Sequence, residues 1–130
     1  LLAPNESELE SLTGIPADSF THIQEGASFL LEKGIKNVLV TLGDKGSALF
    51  TPQGSKEFPA YSVNSIDTTG AGDAFLGALS FFLAEGKDIN EAIDLSSAYA
   101  ALSTTRRGTQ KSFASRGEFE NWLKSYPSNR

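Results

Sequence analysis

The stretch DTTGAGDAFLGAL, Asp67–Leu79, decides how this sequence is read. Its first half is threonine and glycine, residues of turns. Its second half starts a helical repeat, with Phe75, Ala78, Leu79, Phe82 and Leu83 recurring along one face. Gly70-Ala71-Gly72-Asp73 therefore stands at the mouth of a helix. Small residues there leave main-chain N–H groups uncovered, and the helix dipole favours negative charge beside them. Such a nest suits a phosphoryl group, whose charge shifts during transfer, and Asp73 beside it is placed to take a proton from an attacking hydroxyl. A carboxylate is a weak base, so its position counts for more than its basicity. The plainer reading is a glycine-rich turn closed by an aspartate N-cap. GAGD alone does not choose between them. Two other phosphate motifs fail: a dinucleotide fingerprint needs glycine where Phe75 stands, and no Gly-Lys-Ser/Thr completes a P-loop.

Around this stretch the chain reads as α/β. Glu6 to Thr13 forms a helix stopped by Gly14 and Pro16, and Ser19 to Lys33 carries Ile23, Ala27, Leu30 and Leu31 as one stripe. NVLVTLG, from Asn37, is a β-branched, nearly continuous apolar run, as in a strand buried on both faces. Lys45 to Phe50 and Lys56 to Ala60 read as further strands joined around Pro52 and Gly54. Helices follow over Gly70 to Glu85 and Ile89 to Thr104, and a last one places Phe119, Trp122, Leu123 and Tyr126 on one face. LLAPN is a short apolar strand end. With no repeat, low-complexity tract or linker, the expectation is a single α/β layer structure spanning 1–130.

Composition narrows the function. The chain has 130 residues, 39% hydrophobic and 21% charged, enough for one domain with a modest core. A net charge of −5 argues against nucleic acid, whose binding depends on neutralising phosphates, but leaves room for a small anion held by a few amides. There is no cysteine, hence no disulfide or thiolate metal site; this suits a reducing interior and a cytoplasmic location. No apolar run is long enough to cross a bilayer, so no membrane partner is expected. LLAPNESELE lacks the basic start of a signal peptide. An opening on a strand end without methionine suggests a fragment. His22, on a polar face with no partner pattern, reads as a surface residue, Trp122 as core, and ESELES as a solvated helix face.

Three further blocks accompany GAGD in order: APNESELESLTG, TLGDKGSALF and TTRRGTQKS. Alone, each has an ordinary explanation: a solvated helix start, a hairpin with Gly43 and Gly46 at positive φ, and a polar connector. Together with DTTGAGDAFLGALS they resemble the phosphofructokinase-B family of carbohydrate kinases, its ribokinases in particular. The resemblance covers nearly the whole chain. It implies a ribokinase-like, Rossmann-like α/β/α fold, of which this chain would be the C-terminal part, without the N-terminal half and the lid that holds and encloses the sugar.

The resemblance also implies roles. Asp73 would be the general base that deprotonates the sugar 5-hydroxyl for attack on ATP, with the amides of Gly70, Ala71 and Gly72 as the anion hole; it would both start the helix and take the proton. Asn5 would lie near the nucleotide phosphates, and Glu8 would organise hydrated Mg2+. Thr41, Leu42, Gly43, Asp44, Lys45 and Gly46 would border ATP, beyond the carboxyl end of a strand. Asp67, Thr69, Ser103, Arg106, Gly108 and Ser112 would hold K+, mostly through main-chain oxygens. Ser97 stands where ribokinases usually carry asparagine near adenine, a departure that bears on nucleotide preference. The implied substrates are ATP and a small sugar, D-ribose first, in a homodimeric full-length protein. Fructose or nucleoside kinases, and a nucleotide-binding module without chemistry, are the alternatives.

Overall fold

The apolar run NVLVT becomes strand β1, Val38–Thr41, in the computed structural model, which describes residues 1–61, 63, 70–105 and 116–125. β1 pairs antiparallel with β2, Ser47–Thr51, with Val38 opposite Phe50 and Thr41 opposite Ser47. β2 pairs antiparallel with β3, Gly54–Phe58. On the other side of β1 the first residues run parallel to it. Leu39 N–H donates to Leu2 C=O at 2.8 Å, and Thr41 N–H donates to Pro4 C=O at 3.0 Å. The strand end read in LLAPN is thus real and short.

The chain forms two compact units, Leu1–Pro59 and Ala60–Arg130. In the first, side chains alternate across the sheet. Val38, Val40, Ala48 and Phe50 join Leu9 of helix α1, Glu6–Thr13, and Ile23, Ala27 and Leu30 of helix α2, Phe20–Glu32, in one core. Leu39 and Leu49, on the opposite face, are also buried. The near-continuous apolar run reflects this burial on both faces. Leu9 fills a place that Gly26 of α2 leaves open: a Cβ at Gly26 would lie 3.2 Å from Leu9 Cγ and Cδ2. The glycine allows the two helices to approach closely, and the rest of ESELES faces solvent.

One buried atom in this unit has no partner. Ser47 is 3% exposed, and among the described residues its hydroxyl is the side-chain polar atom that is buried without a hydrogen bond. An unmade buried bond costs about 1–3 kcal/mol. Ser47→Ala removes the hydroxyl and little volume, so urea unfolding should show a gain of about 1 kcal/mol; a loss would mean that the hydroxyl is bonded.

His22 is not alone. It pairs with Asp18 four residues earlier, ahead of the Ser19 side chain that caps α2 by accepting from His22 N–H at 3.2 Å. The hydrogen bond to Asp18, then its charge, raises the His22 pKa above 6.5, and the same hydrogen bond lowers Asp18 below 3.8. The raised histidine contributes stability below pH 6.5 and loses it as pH rises through its folded pKa. The lowered aspartate contributes above pH 3.8 and loses it as pH falls through its own. The pair therefore acts fully between those two values. An NMR titration of His22 should give a pKa above 6.5 that returns towards 6.5 in Asp18→Asn; an unchanged titration curve in the variant would remove the pairing.

The second unit is helical where described. Helix α3, Ala71–Ala84, buries Ala74, Phe75, Ala78, Leu79 and Phe82. Helix α4, Ile89–Ser103, starts on Asp88, whose carboxylate accepts from Glu91 N–H at 3.0 Å, and packs along α3. Helix α5, Arg116–Ser125, adds Phe119, whose ring centroid lies 6.1 Å from that of Phe82 and 5.4 Å from that of Tyr99. Trp122 is half-buried beside Tyr61, and Tyr126 lies outside the described residues. No helix among the described residues is long and apolar enough to cross a membrane.

Candidate active site

In the first unit the parallel pairing brings two of the sequence blocks side by side. Asn5 bridges to Thr41, so NESE and TLGDKG leave the sheet at the same, carboxyl, end of neighbouring strands. That is where open α/β sheets bind ligands. Asn5 and Glu8 form a capping box. Asn5 Oδ1 accepts from Glu8 N–H and Glu8 Oε1 accepts from Asn5 N–H, each at 2.8 Å. The plain helix-start reading of NESE is therefore realised. The cap leaves the Asn5 amide N–H donors and the second Glu8 oxygen outside it. A water-mediated contact to Mg2+, an ion that dehydrates reluctantly, fits a glutamate held this way.

The loop after β1 contains a single 3-10 turn, Gly43–Lys45. Gly43 at φ 61° and Gly46 at φ 99° carry the conformations that close it, as the hairpin reading expects. Its N–H groups are unequal. Thr41 donates to Pro4, Leu42 to Gly46 at 2.8 Å, Lys45 to Leu42 at 3.2 Å and Gly46 to Gly43 at 3.1 Å. Only Gly43 and Asp44 of the six stand outside these bonds, and their amides are the loop's candidates for a phosphate. Lys45 and Asp44 are exposed.

In the second unit, Gly70 is the N-cap of α3 at φ 80°, a left-handed conformation that strains any residue with a Cβ, and no side chain among the described residues caps the helix. The first helical bond is Ala74 N–H to Gly70 C=O at 2.8 Å. The N–H groups of Ala71, Gly72 and Asp73 precede it, where an anion is favoured. A Cβ built at Gly72 would meet nothing within 4 Å. Asp73 is exposed at the third helical position. The expectation that it starts the helix is corrected: Gly70 does so by its backbone conformation, and the Asp73 carboxylate is left for other work. The aspartate N-cap reading falls with it.

The remaining candidate residues divide. Ser97 of α4 is half-buried, its hydroxyl donating to Ile93 C=O at 3.0 Å. Ser103 ends α4 and is buried, its hydroxyl donating to Ala100 C=O at 2.7 Å. Asp67, Thr69, Arg106, Gly108 and Ser112 lie outside the described residues. The described residues hold no group of three or more His, Asp or Glu arranged for a metal. Sequence reading missed the Tyr61–Asp94 bond of 3.2 Å and the Asp18–His22 pair; the four-residue spacing of the second was the available signal.

The model of the pfkB family carbohydrate kinases matches residues 1–116. The chain belongs to that family. Its relatives include the deoxyribokinase of Salmonella typhi, 42% identical over 120 residues that make up 92% of this chain and 39% of that one. Among solved structures, the ribokinase of Thermotoga maritima is 44% identical with a TM-score of 0.83, covering 95% of this chain and 42% of that one. The Arabidopsis thaliana ribokinase, solved with ribose and ATP, is 37% identical with a TM-score of 0.87, covering 95% and 40%. The pfkB match and these neighbours establish the ribokinase-like α/β fold class read from the sequence. The chain spans about two fifths of each of these proteins.

Proposed function

We propose that this chain is the catalytic and nucleotide-binding part of a kinase that transfers the γ-phosphoryl group of ATP to the 5-hydroxyl of D-ribose. The observation that carries the reading is the start of α3, with Gly70 in the left-handed region, no side-chain cap and Asp73 exposed on the first turn. Asp73 takes the proton of the attacking hydroxyl as its oxygen bonds to the γ-phosphorus. The bond from that phosphorus to the β,γ-bridging oxygen breaks, and ADP leaves with the electron pair. The amides of Gly70, Ala71 and Gly72 receive charge on the γ-oxygens, and those of Gly43 and Asp44 hold phosphate oxygens. Mg2+, bound through water at Glu8, would neutralise the nucleotide phosphates. K+ held by Asp67, Thr69, Ser103, Arg106, Gly108 and Ser112 would order the anion-hole loop without touching the sugar.

A second sugar has support. The 42% identity to a deoxyribokinase stands beside the 44% identity to a ribokinase, so 2-deoxyribose is the rival acceptor. A coupled ADP-release assay on the full-length protein decides. Ribose should support about 1–100 turnovers per second, ahead of 2-deoxyribose, fructose and adenosine. Higher turnover on another of these moves the assignment to it, and none on any sugar ends the kinase reading. The isolated chain should show little or no turnover, because the sugar-enclosing parts implied by the resemblance are not in it.

A further inference from the structure

Ser47 opens β2 directly after the loop assigned to the nucleotide, and its hydroxyl is buried without a partner. The strand register shows what stands around it. Opposite it on β1 is Thr41, the last residue before the loop. Thr41 N–H donates away from β2, to Pro4 C=O, and Leu42 N–H donates to Gly46 C=O in the next rung. Thr41 and Ser47 are therefore a non-hydrogen-bonded pair, the kind in which facing side chains stand closer together. On the same face the other register neighbours of Ser47 are Phe58 on β3 and Leu49 two places along. Both are buried, and neither has a polar side-chain atom. Thr41 is thus the register neighbour able to accept from the Ser47 hydroxyl. Buried hydroxyls are nearly always bonded, and one that lowers stability where alanine would fit is expected at a functional site.

We propose that Ser47 is a positioning residue for the nucleotide, acting through Thr41. In the nucleotide-bound protein Ser47 Oγ–H donates to Thr41 Oγ1, whose own O–H donates to a phosphate oxygen of ATP. A threonine hydroxyl can donate and accept at once, and donation to an anion makes it a better acceptor. The nucleotide thereby fixes the Thr41 hydroxyl and gives Ser47 the partner it lacks. The inference rests on the kinase reading, which brings phosphate oxygens to Gly43 and Asp44, two and three residues on from Thr41. Calorimetric titration of the full-length protein with Mg2+-ATP tests it, beside unfolding in urea without nucleotide. Ser47→Ala should weaken ATP binding about fivefold, as for one lost hydrogen bond. It should leave kcat in the ADP-release assay within about twofold, and stability without nucleotide should not fall. Thr41→Val, which keeps the branched shape, should weaken ATP binding about tenfold or more. The double variant Ser47→Ala/Thr41→Val should be no weaker than Thr41→Val alone, as for groups acting in series. Wild-type ATP affinity in Ser47→Ala, additive losses in the double variant, or a weakened affinity that comes with a less stable nucleotide-free protein would overturn the proposal. Should Thr41→Val fail to fold, Ser47→Ala decides alone by affinity and stability. A wild-type protein that binds no ATP would strike the kinase reading itself, and this proposal with it.

Discussion

Asp73→Asn in the full-length protein is expected to lower kcat by about a hundredfold to ten-thousandfold while ATP affinity stays within about threefold. The size follows from what a positioned general base contributes. The selectivity follows from the structure. Asparagine matches aspartate in shape, and the helix start depends on the Gly70 backbone, with no side-chain cap to lose. The Ala71 and Gly72 amides therefore remain for phosphate. The one structural cost is a negative charge removed from the positive end of α3, about 0.3–1 kcal/mol at an exposed position. Steady-state kinetics with a melting curve separate the effects. A kcat within tenfold of wild type would take the base role from Asp73, whatever the stability change.

Leu9→Ala should destabilise the first unit by about 2–5 kcal/mol, the range for a large aliphatic side chain truncated in a core. The upper part of the range is expected here. Leu9 is 1% exposed and packs on Gly26 of α2, which has no side chain of its own to refill the space. Total stabilities of about 5–15 kcal/mol make this a large fraction. The loss reaches the site too, because α1 carries Asn5 and Glu8 at its first turn and Leu9 pins that helix against α2. Urea unfolding of the full-length protein measures it. A change under 1 kcal/mol would mean that α1 is held chiefly by its capping box and the parallel bridge at Asn5.

The helices were legible to within a residue or two. The stop at Gly14 and the helix start at NESE are local features, and the structure keeps the expected bounds of Glu6–Thr13. The hairpin was less so. Strands expected at Lys45 to Phe50 and Lys56 to Ala60 lie at Ser47–Thr51 and Gly54–Phe58. Gly43–Lys45 forms a 3-10 turn, and turn geometry fixes register more firmly than the propensity of single residues. Ser47 shows the same limit: nothing in SALF marks its hydroxyl as buried and unpartnered, because that depends on what surrounds the strand.

Order and chemistry were written in the chain: four blocks in one succession, an aspartate beside glycines at a helix mouth, and apolar periodicities that name the buried faces. These are properties of neighbours in sequence, and local forces suffice to set them. Tertiary structure decided which donors remain. It committed Thr41 to Pro4 and Leu42 to Gly46, kept Gly43 and Asp44 outside those bonds, and joined Tyr61 to Asp94 across 33 residues. It also gave the start of α3 to Gly70 and freed Asp73. A hydrogen bond between distant residues depends on how the chain returns upon itself, and no single stretch of sequence contains that information.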